Sequence, residues 1–373
     1  MPAPLNHSAA GVSDVITEQY AAKVTPGEYF AAAEGLSLRP DGLPDVAVRR
    51  LDLDAWHGAA PQRVAEVAER ITEGLSLVLG IAHEPVPEAL RPLLEASTVT
   101  LAPPGLHGDA PQVVTAAEPN TEWDRLADCV RRHPRAALML GQLLRQTESL
   151  TAARGLAAEA AVYSTLLGGD EFAAWLGSRP APRGARSAPE QSLVSARRLG
   201  DVLEVELRCP RRRNALSQRL RDDLYDALSV AVLDESVARI ELSGTGPVFC
   251  SGGDLTEFGE APDPVAAWLV RLQRAPWRLI DRLRERTTVR VHGAAVGAGI
   301  EMAAFAGRLV AAPGTRFWLP EVSMGLVPGA GGTVSVTRRI GRWRAAWMML
   351  RGAPVDTGTA LRWGLVDEVA DRD

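Results

Sequence analysis

Apolar residues recur at every third or fourth position through the first half of the chain, which is the spacing of amphipathic helices. The clearest series is Val64, Val67, Ile71, Leu75 and Leu79, which predicts a helix over 60–79. The same spacing predicts helices over 122–132, 133–167 and 171–176. A stretch rich in Pro, Gly and Ala over 101–120 is predicted to be a loop. Residues 1–177 are therefore predicted to form a mainly α-helical N-terminal domain.

The pattern changes after a polar, proline-rich segment, residues 178–192, which we predict to be a linker. Beyond it, segments of period two alternate with segments of helical period. Strands are predicted over 202–207, 237–243, 288–292, 308–312 and 316–318. Helices are predicted over 216–232, 264–286, 298–306, 332–340 and 343–350. This alternation predicts an α/β domain over 193–373.

Composition narrows the function classes without naming one. The chain has 373 residues, 46% hydrophobic and 23% charged, with a net charge of −5. The acidic balance argues against a nucleic-acid partner, and the sequence has no apolar run long enough to span a membrane. Three cysteines without a Cys-x-x-Cys pair, and a first segment without a secretory pattern, predict a cytoplasmic location. No metal-ligand cluster and no dinucleotide motif is apparent, so we expect neither a metal nor a separate cofactor.

Candidate chemistry is concentrated in two glycine-rich turns and two acids. One turn lies within 249–255 and contains Gly253; the other lies within 293–301 and contains Ala298 and Glu301. Glu321 follows a proline at the end of a strand-like segment, and a third glycine-rich stretch occupies 328–333. Turns that expose backbone N–H groups, together with two carboxylates, can hold a polarised carbonyl and move protons beside it.

In this order and spacing, these motifs resemble those of the crotonase superfamily, which includes enoyl-CoA hydratases and isomerases. The resemblance also takes in the segments 213–216 and 364–367, and it covers about 193–369. It implies an α/β fold made of a spiral of ββα units, placed here after the helical domain. It further implies an acyl-CoA thioester substrate, with coenzyme A bound as part of that substrate, and a homo-oligomer, a trimer or hexamer.

The resemblance also implies roles for individual residues. The N–H groups of Gly253 and Ala298 stand where the family forms its oxyanion hole, and Glu301 and Glu321 stand where hydratases carry two catalytic glutamates. Isomerases tend to keep one of the two, so the presence of both favours water addition to, or removal from, an α,β-unsaturated acyl-CoA. Expected coenzyme A contacts are Arg211, Arg212, Arg213, Cys250 and Ser251, and the expected acyl pocket includes Phe258, Gly297, Trp318 and Gly329.

Two alternatives remain open at this stage. The helical extension and the segment 333–366 are also similar to 3,5-dihydroxyphenylacetyl-CoA dioxygenase, which oxidises its substrate without a cofactor. In that enzyme, however, we expect an amide side chain at the position that corresponds to Glu301. A non-catalytic crotonase-like binding protein is the second alternative. Typical members of the superfamily continue beyond the equivalent of Asp367 with helices that cover the acyl pocket. We expect the N-terminal helices to supply part of that cover here.

Overall fold

The structure is a computed structural model that describes residues 38–180, 192–260 and 263–371. Residues 1–37 of the predicted N-terminal domain lie outside the described residues. So do residues 181–191, most of the predicted linker.

The first half contains a parallel sheet that the sequence analysis did not predict. Its strands, in spatial order, are β1 (Val48–Asp52), β2 (Leu77–Ile81), β3 (Val99–Ala102) and β4 (Val113–Thr115). Helices α1 (Pro61–Glu73) and α2 (Arg91–Ala96) lie between successive strands. Every residue of β2 and of β3 is buried, as is usual for a parallel sheet covered on both faces.

Two predictions for this region need correction. The helix predicted over 60–79 ends at Glu73, and Leu79 belongs to β2. The loop predicted over 101–120 includes the end of β3 and all of β4. A short, fully buried strand has no polar positions to reveal its period, so its apolar residues read as an extension of the preceding helix.

Four further helices make the described part of this region mainly α-helical, as predicted. They are α3 (Pro119–Arg132), α4 (Pro134–Thr147), α5 (Ala152–Leu167) and α6 (Asp170–Gly177). A proline occupies the first turn of both α3 and α4, where its missing N–H is not needed. The long helix predicted over 133–167 is thus two helices, α4 and α5.

The second half is built on a six-stranded sheet and a three-stranded sheet. The larger one has the order β13-β10-β8-β7-β6-β5, and all its neighbours are parallel except β5 and β6. Its strands are β5 (Val194–Leu199), β6 (Val202–Leu207), β7 (Arg239–Gly244), β8 (Thr287–Val291), β10 (Arg308–Ala311) and β13 (Glu368–Val369). The smaller sheet has the order β12-β11-β9, from β9 (Ala294–Val296), β11 (Arg316–Trp318) and β12 (Val355–Asp356).

Helices pack around these sheets in the expected alternation. They are α7 (Gln218–Leu233), α8 (Pro264–Gln273), α9 (Pro276–Arg282), α10 (Ala298–Ala303), α11 (Gly332–Arg351) and α12 (Thr357–Trp363). The helix predicted over 264–286 is divided at Pro276, and α11 is interrupted at Gly341, where φ is +78°. The successions β8-β9-α10 and β10-β11-α11 confirm the predicted ββα units.

The two halves share a hydrophobic core. One continuous cluster joins Leu126 and Leu156 of the first half to Ile300 and Val334 of the second. Helix α5 contacts both α8 and α11, so the N-terminal helices cover the region where α11 begins. None of the helices in the described ranges is long and apolar enough to cross a membrane.

Candidate active site

The two glycine turns lie side by side. Phe249 N donates to His292 O at 2.9 Å, and Val296 N donates to Cys250 O at 3.0 Å, so the segments entering the turns are paired. Gly252 has φ +91°, and a Cβ on it would lie 3.1 Å from Val296 O. The backbones therefore approach at a distance and with a conformation that favour glycine.

Gly253 and Ala298 present their N–H groups at these adjacent turns. Leu216 pairs with the residues on either side of Gly253, since Leu216 N donates to Gly252 O at 2.7 Å and Asp254 N donates to Leu216 O at 3.2 Å. Ala298 is the first residue of α10, where N–H groups have no partner inside the helix. Within the described residues neither N–H donates a hydrogen bond to another protein group.

Asn214, whose role the sequence analysis did not predict, fixes the first turn. It is buried and has φ +51°. Its Oδ1 accepts from Cys209 N at 2.8 Å, and its Nδ2 donates to Thr245 O and to Phe249 O, both at 2.9 Å. An amide is suited to this position because it donates and accepts at once.

Glu301 is a buried carboxyl, with 2% of its surface exposed, one helical turn after Ala298. Its Oε2 accepts hydrogen bonds from Ala330 N at 2.7 Å and from Gly332 N at 2.9 Å. Burial raises the pKa of Glu301 to about 7, although the two N–H donors and the nearby Arg271 act in the opposite direction. Glu301 can therefore gain and lose a proton near neutral pH.

Glu321 begins a single helical turn, Glu321–Met324, after β11. Its Oε2 is shielded from solvent and has no hydrogen-bond partner among the described residues. Burial, followed by the negative charge of Glu301, raises the pKa of Glu321 well above its ordinary value. The two acids are close enough to repel each other, and this repulsion favours the protonated form of Glu321.

A third glutamate, Glu159 of α5, reaches the same region from the N-terminal half. Its side chain is buried, and its Oε1 accepts from Gly331 N at 2.6 Å. Burial, followed by the charge of Glu301, raises the pKa of Glu159 to about 8. The sequence analysis missed this residue; the available signal was a single acid within the Ala-rich run of α5.

Tyr163, one turn further along α5, was also missed. It is buried, and the Arg271 guanidinium carbon lies 3.8 Å from the centre of its ring. A Cβ on Gly329 would lie 2.4 Å from the Tyr163 ring, so Gly329, predicted to line the pocket, packs directly against it. Helices α5 and α8 thus meet beside the glycine-rich segment that contains Gly329.

Phe258 lies over the first turn, because a Cβ on Gly253 would lie 2.9 Å from its ring. It contacts Phe172 and Trp175 of α6, with ring centres 6.5 Å and 5.8 Å away. Trp318 contributes its carbonyl oxygen, which accepts from Gly297 N at 3.0 Å. The residues predicted to line an acyl pocket therefore lie around the glycine turns, with aromatic residues of the N-terminal half beside them.

The three arginines predicted to meet coenzyme A are exposed at the turn Pro210–Arg212 and the residue after it. Arg212 is held by Asp254 at 2.8 Å, so Asp254 braces this turn. Ser251 N donates to Arg213 O at 3.0 Å, which ties the arginine segment to the glycine turn.

Cys250 differs from the other predicted coenzyme A contacts, because its side chain is fully buried. A Cβ on Gly299 would lie 2.9 Å from the Cys250 Cβ, so the cysteine packs beneath α10. Burial raises the pKa of its thiol to about 12. With none of its surface exposed, Cys250 is not placed to make the predicted contact with coenzyme A. No group of three potential metal-binding side chains occurs in the described part of the chain.

Comparison with known proteins identifies the family to which this chain belongs. The model of the enoyl-CoA hydratase/isomerase family matches residues 197–373. The 2,3-dehydroadipyl-CoA hydratase of Escherichia coli (strain K12) is 34% identical over 46% of this chain and 67% of its own length. An enoyl-CoA isomerase/hydratase of Mycosarcoma maydis is 33% identical over 47% of this chain and 68% of its own.

The solved structure of an enoyl-CoA hydratase from Mycobacterium smegmatis is 30% identical over 48% of this chain and 71% of that one, with a TM-score of 0.45. The family assignment rests on the family model and on the two curated relatives. With about a third of the aligned residues identical over two thirds of each relative's length, the chain belongs to the enoyl-CoA hydratase/isomerase family of enzymes.

Proposed function

We propose that this chain is an enoyl-CoA hydratase, which adds water to an α,β-unsaturated acyl-CoA or removes it from the hydroxyacyl product. One observation carries the proposal. Buried Glu301 and half-buried Glu321 adjoin two neighbouring turns whose N–H groups are unused within the described residues, and burial and the charge of Glu301 raise the pKa of Glu321 well above its ordinary value. Acids whose pKa values are separated by their surroundings can act as base and acid in one reaction.

The N–H groups of Gly253 and Ala298 would bind the thioester oxygen. Attack at the β-carbon moves electrons onto that oxygen, and two N–H donors stabilise the resulting enolate. Loss of one such donor typically slows a reaction by about 10²–10³. The start of α10 adds a positive helix end to the same place, although this helix is only one and a half turns long.

The two acids would divide the proton transfers between them. Glu301, charged for about half of the molecules near pH 7, takes a proton from water as its oxygen bonds to the β-carbon. Glu321, held protonated, gives its proton to the α-carbon as the enolate collapses. One O–H bond of water breaks, one C–O bond and one C–H bond form, and the C=C bond becomes single. A proton then passes from Glu301 to Glu321, which restores both acids.

The remainder of the substrate would lie between the two halves of the chain. Arg211 and Arg213 are exposed beside the first glycine turn and suit the phosphates of coenzyme A. The acyl group would extend toward Phe258, where Phe172 and Trp175 add aromatic walls from α6. We infer that α5 and α6 provide the acyl cover that we expected of the N-terminal helices.

The test is a panel of acyl-CoA esters, short, long, dicarboxylic and aromatic, followed by mass spectrometry. Hydration adds the mass of water and isomerisation leaves the mass unchanged. Oxygenation of an arylacetyl-CoA adds oxygen, and hydrolysis releases free coenzyme A. Water addition to at least one enoyl-CoA supports the proposal. Oxygen incorporation would replace it with the dioxygenase alternative, and binding without any turnover would replace it with the non-catalytic one.

A further inference from the structure

The backbone N–H groups of the four consecutive residues 330–333 donate hydrogen bonds alternately to the side chains of Glu301 and Glu159. Ala330 N and Gly332 N donate to Glu301 Oε2, at 2.7 Å and 2.9 Å. Gly331 N donates to Glu159 Oε1 at 2.6 Å, and Thr333 N donates to Glu159 Oε2 at 2.9 Å. Glu159 and Glu301 therefore bind the same turn, residues 330–333, which we call the shared turn.

Both carboxyl oxygens of Glu159 accept hydrogen bonds from the shared turn. Its Oε2 also accepts from Thr333 Oγ1 at 2.7 Å, so both carboxylate oxygens are engaged within the protein. It leaves no oxygen directed at a substrate, unlike Glu321, whose Oε2 has no partner in the described ranges. Glu159 therefore does not contact the reacting atoms, and it can influence the reaction only through the turn that also binds Glu301.

The surrounding contacts fix the helices of the N-terminal half against the shared turn. Thr147 Oγ1 of α4 donates to Thr333 O at 3.0 Å. A Cβ on Gly155 would lie 2.8 Å from Val334 Cγ2, so α5 and α11 meet at close range. Gly331 has φ +98°, and a Cβ there would lie 2.3 Å from the Phe305 ring. The shared turn thus has little freedom to adopt another shape.

We propose that Glu159 is a positioning residue for Glu301: it holds the shared turn so that Ala330 N and Gly332 N face Glu301. The inference rests on the proposed function only for the catalytic role given to Glu301. It assigns the N-terminal helical segment a part in the chemistry of the second half, beyond covering the pocket.

The effect of Glu159 on Glu301 is expected to come from its position rather than from its charge. Burial and the charge of Glu301 raise the pKa of Glu159 to about 8, so Glu159 is largely protonated while Glu301, whose pKa is about 7, titrates. The other titratable or charged groups facing this pair are Glu321, Tyr163, Cys250 and Arg271. Of these, Arg271 is the cation, and it lowers the pKa of Glu301. The N–H groups of Ala330 and Gly332 also lower the pKa of Glu301, so loss of their alignment should raise that pKa.

Glu122 offers a matched control. It too is a buried glutamate of the N-terminal half that binds α11, accepting from Trp347 Nε1 at 3.0 Å and from Arg351 Nε at 2.9 Å. These partners lie near the end of α11, whereas the shared turn lies at its beginning. Glu122→Gln thus weakens a contact between the halves without touching the shared turn.

The experiment follows the carboxyl carbons of the full-length protein by NMR, after labelling of the glutamate side chains with ¹³C. Glu301 is assigned by the signal lost in Glu301→Gln. In Glu159→Gln the two N–H donors lose their alignment on Glu301, so we expect the Glu301 titration to move to higher pH by about one pH unit, and in Glu122→Gln we expect no movement. Unchanged Glu301 titration in folded Glu159→Gln would overturn the proposal.

Thr333→Val keeps the test decisive if Glu159→Gln does not fold. It removes the Oγ1 donor that binds Glu159, so Glu159 holds the shared turn less firmly and the Glu301 titration shifts in the same direction. No shift there would also overturn the proposal. Because the titration needs no turnover, an inactive wild-type protein would refute the proposed function without affecting this result. With an active protein, the low-pH limb of kcat moves with the titration while KM is retained.

Discussion

Glu321 lies directly against Gly297: a Cβ on Gly297 would stand 2.4 Å from Glu321 Oε1. Gly297 also has φ +46°, in the region that side chains disfavour, and it immediately precedes Ala298. One glycine therefore allows the acid to approach the proposed oxyanion donor. The close contact with Glu321 explains why glycine is needed at position 297 of the site.

Gly297→Ala should therefore impair catalysis more than folding. The added methyl group displaces Glu321 and strains the turn that presents the Ala298 N–H. A misplaced catalytic group can lower the rate by about 10², so we expect that loss in kcat/KM for enoyl-CoA hydration. Gly314→Ala is the control, because Gly314 also has a positive φ, +76°, but no atom lies within 4 Å of its Cβ position. Equal activity losses in the two variants would contradict the role of the Glu321 contact.

The pH dependence of hydration should report the charged form of Glu301. Its pKa is about 7, so the base is present above that pH and is lost as the pH falls below it. We expect kcat/KM to rise through a limb centred near 7 and to fall again at higher pH, where Glu321 loses its proton. A limb near the ordinary glutamate value of 4.5 would show that Glu301 is not the base.

Replacement of Glu301 or Glu321 by glutamine should lower the rate of hydration without weakening the binding of coenzyme A. Glu321→Gln preserves shape and neutrality but cannot give a proton to the α-carbon, and Glu301→Gln cannot accept one from water. We expect kcat to fall by about 10²–10⁴ in each variant, while the affinity for coenzyme A, measured by calorimetry, changes little. Normal hydration rates in both variants would remove the acid–base assignment.

Local motifs made much of the second half predictable. Each ββα unit repeats an alternation of periods that a single sequence displays, and the spacing of three residues from Ala298 to Glu301 is one helical turn. The acids and the glycine turns could therefore be predicted together. The polar edge strand β5 was missed, because most of its residues are exposed and it lacks a clear apolar alternation.

Glu159 could not be predicted in the same way, because its partners are distant along the chain. Gly331 lies 172 residues after it, and only the docking of α5 against α11 brings the two together. In the sequence, Glu159 is one acid in an alanine-rich helix, which ordinarily lies on the solvent side. The parallel sheet of the first half was missed for a related reason, since fully buried strands display no period.

Stability should fall as the pH rises across the range in which the buried acids lose protons. The unfolded chain gives Glu159 its ordinary pKa of 4.5, whereas burial in the fold raises it to about 8. Between these values the folded protein binds more protons than the unfolded one, so the free energy of unfolding decreases with increasing pH. The slope from one such group is at most about 1.4 kcal/mol per pH unit.

Urea unfolding at several pH values between 5 and 8 would measure this slope. In Glu159→Gln the titrating group is gone, so we expect the decline to be shallower than in the wild type. The amide NH2 can only donate, whereas the hydroxyl oxygen of a protonated carboxyl can still accept, so the variant should start from a lower stability at pH 5, where wild-type Glu159 is protonated. The two curves should therefore converge as the pH approaches 8, and parallel curves would contradict the raised pKa of Glu159.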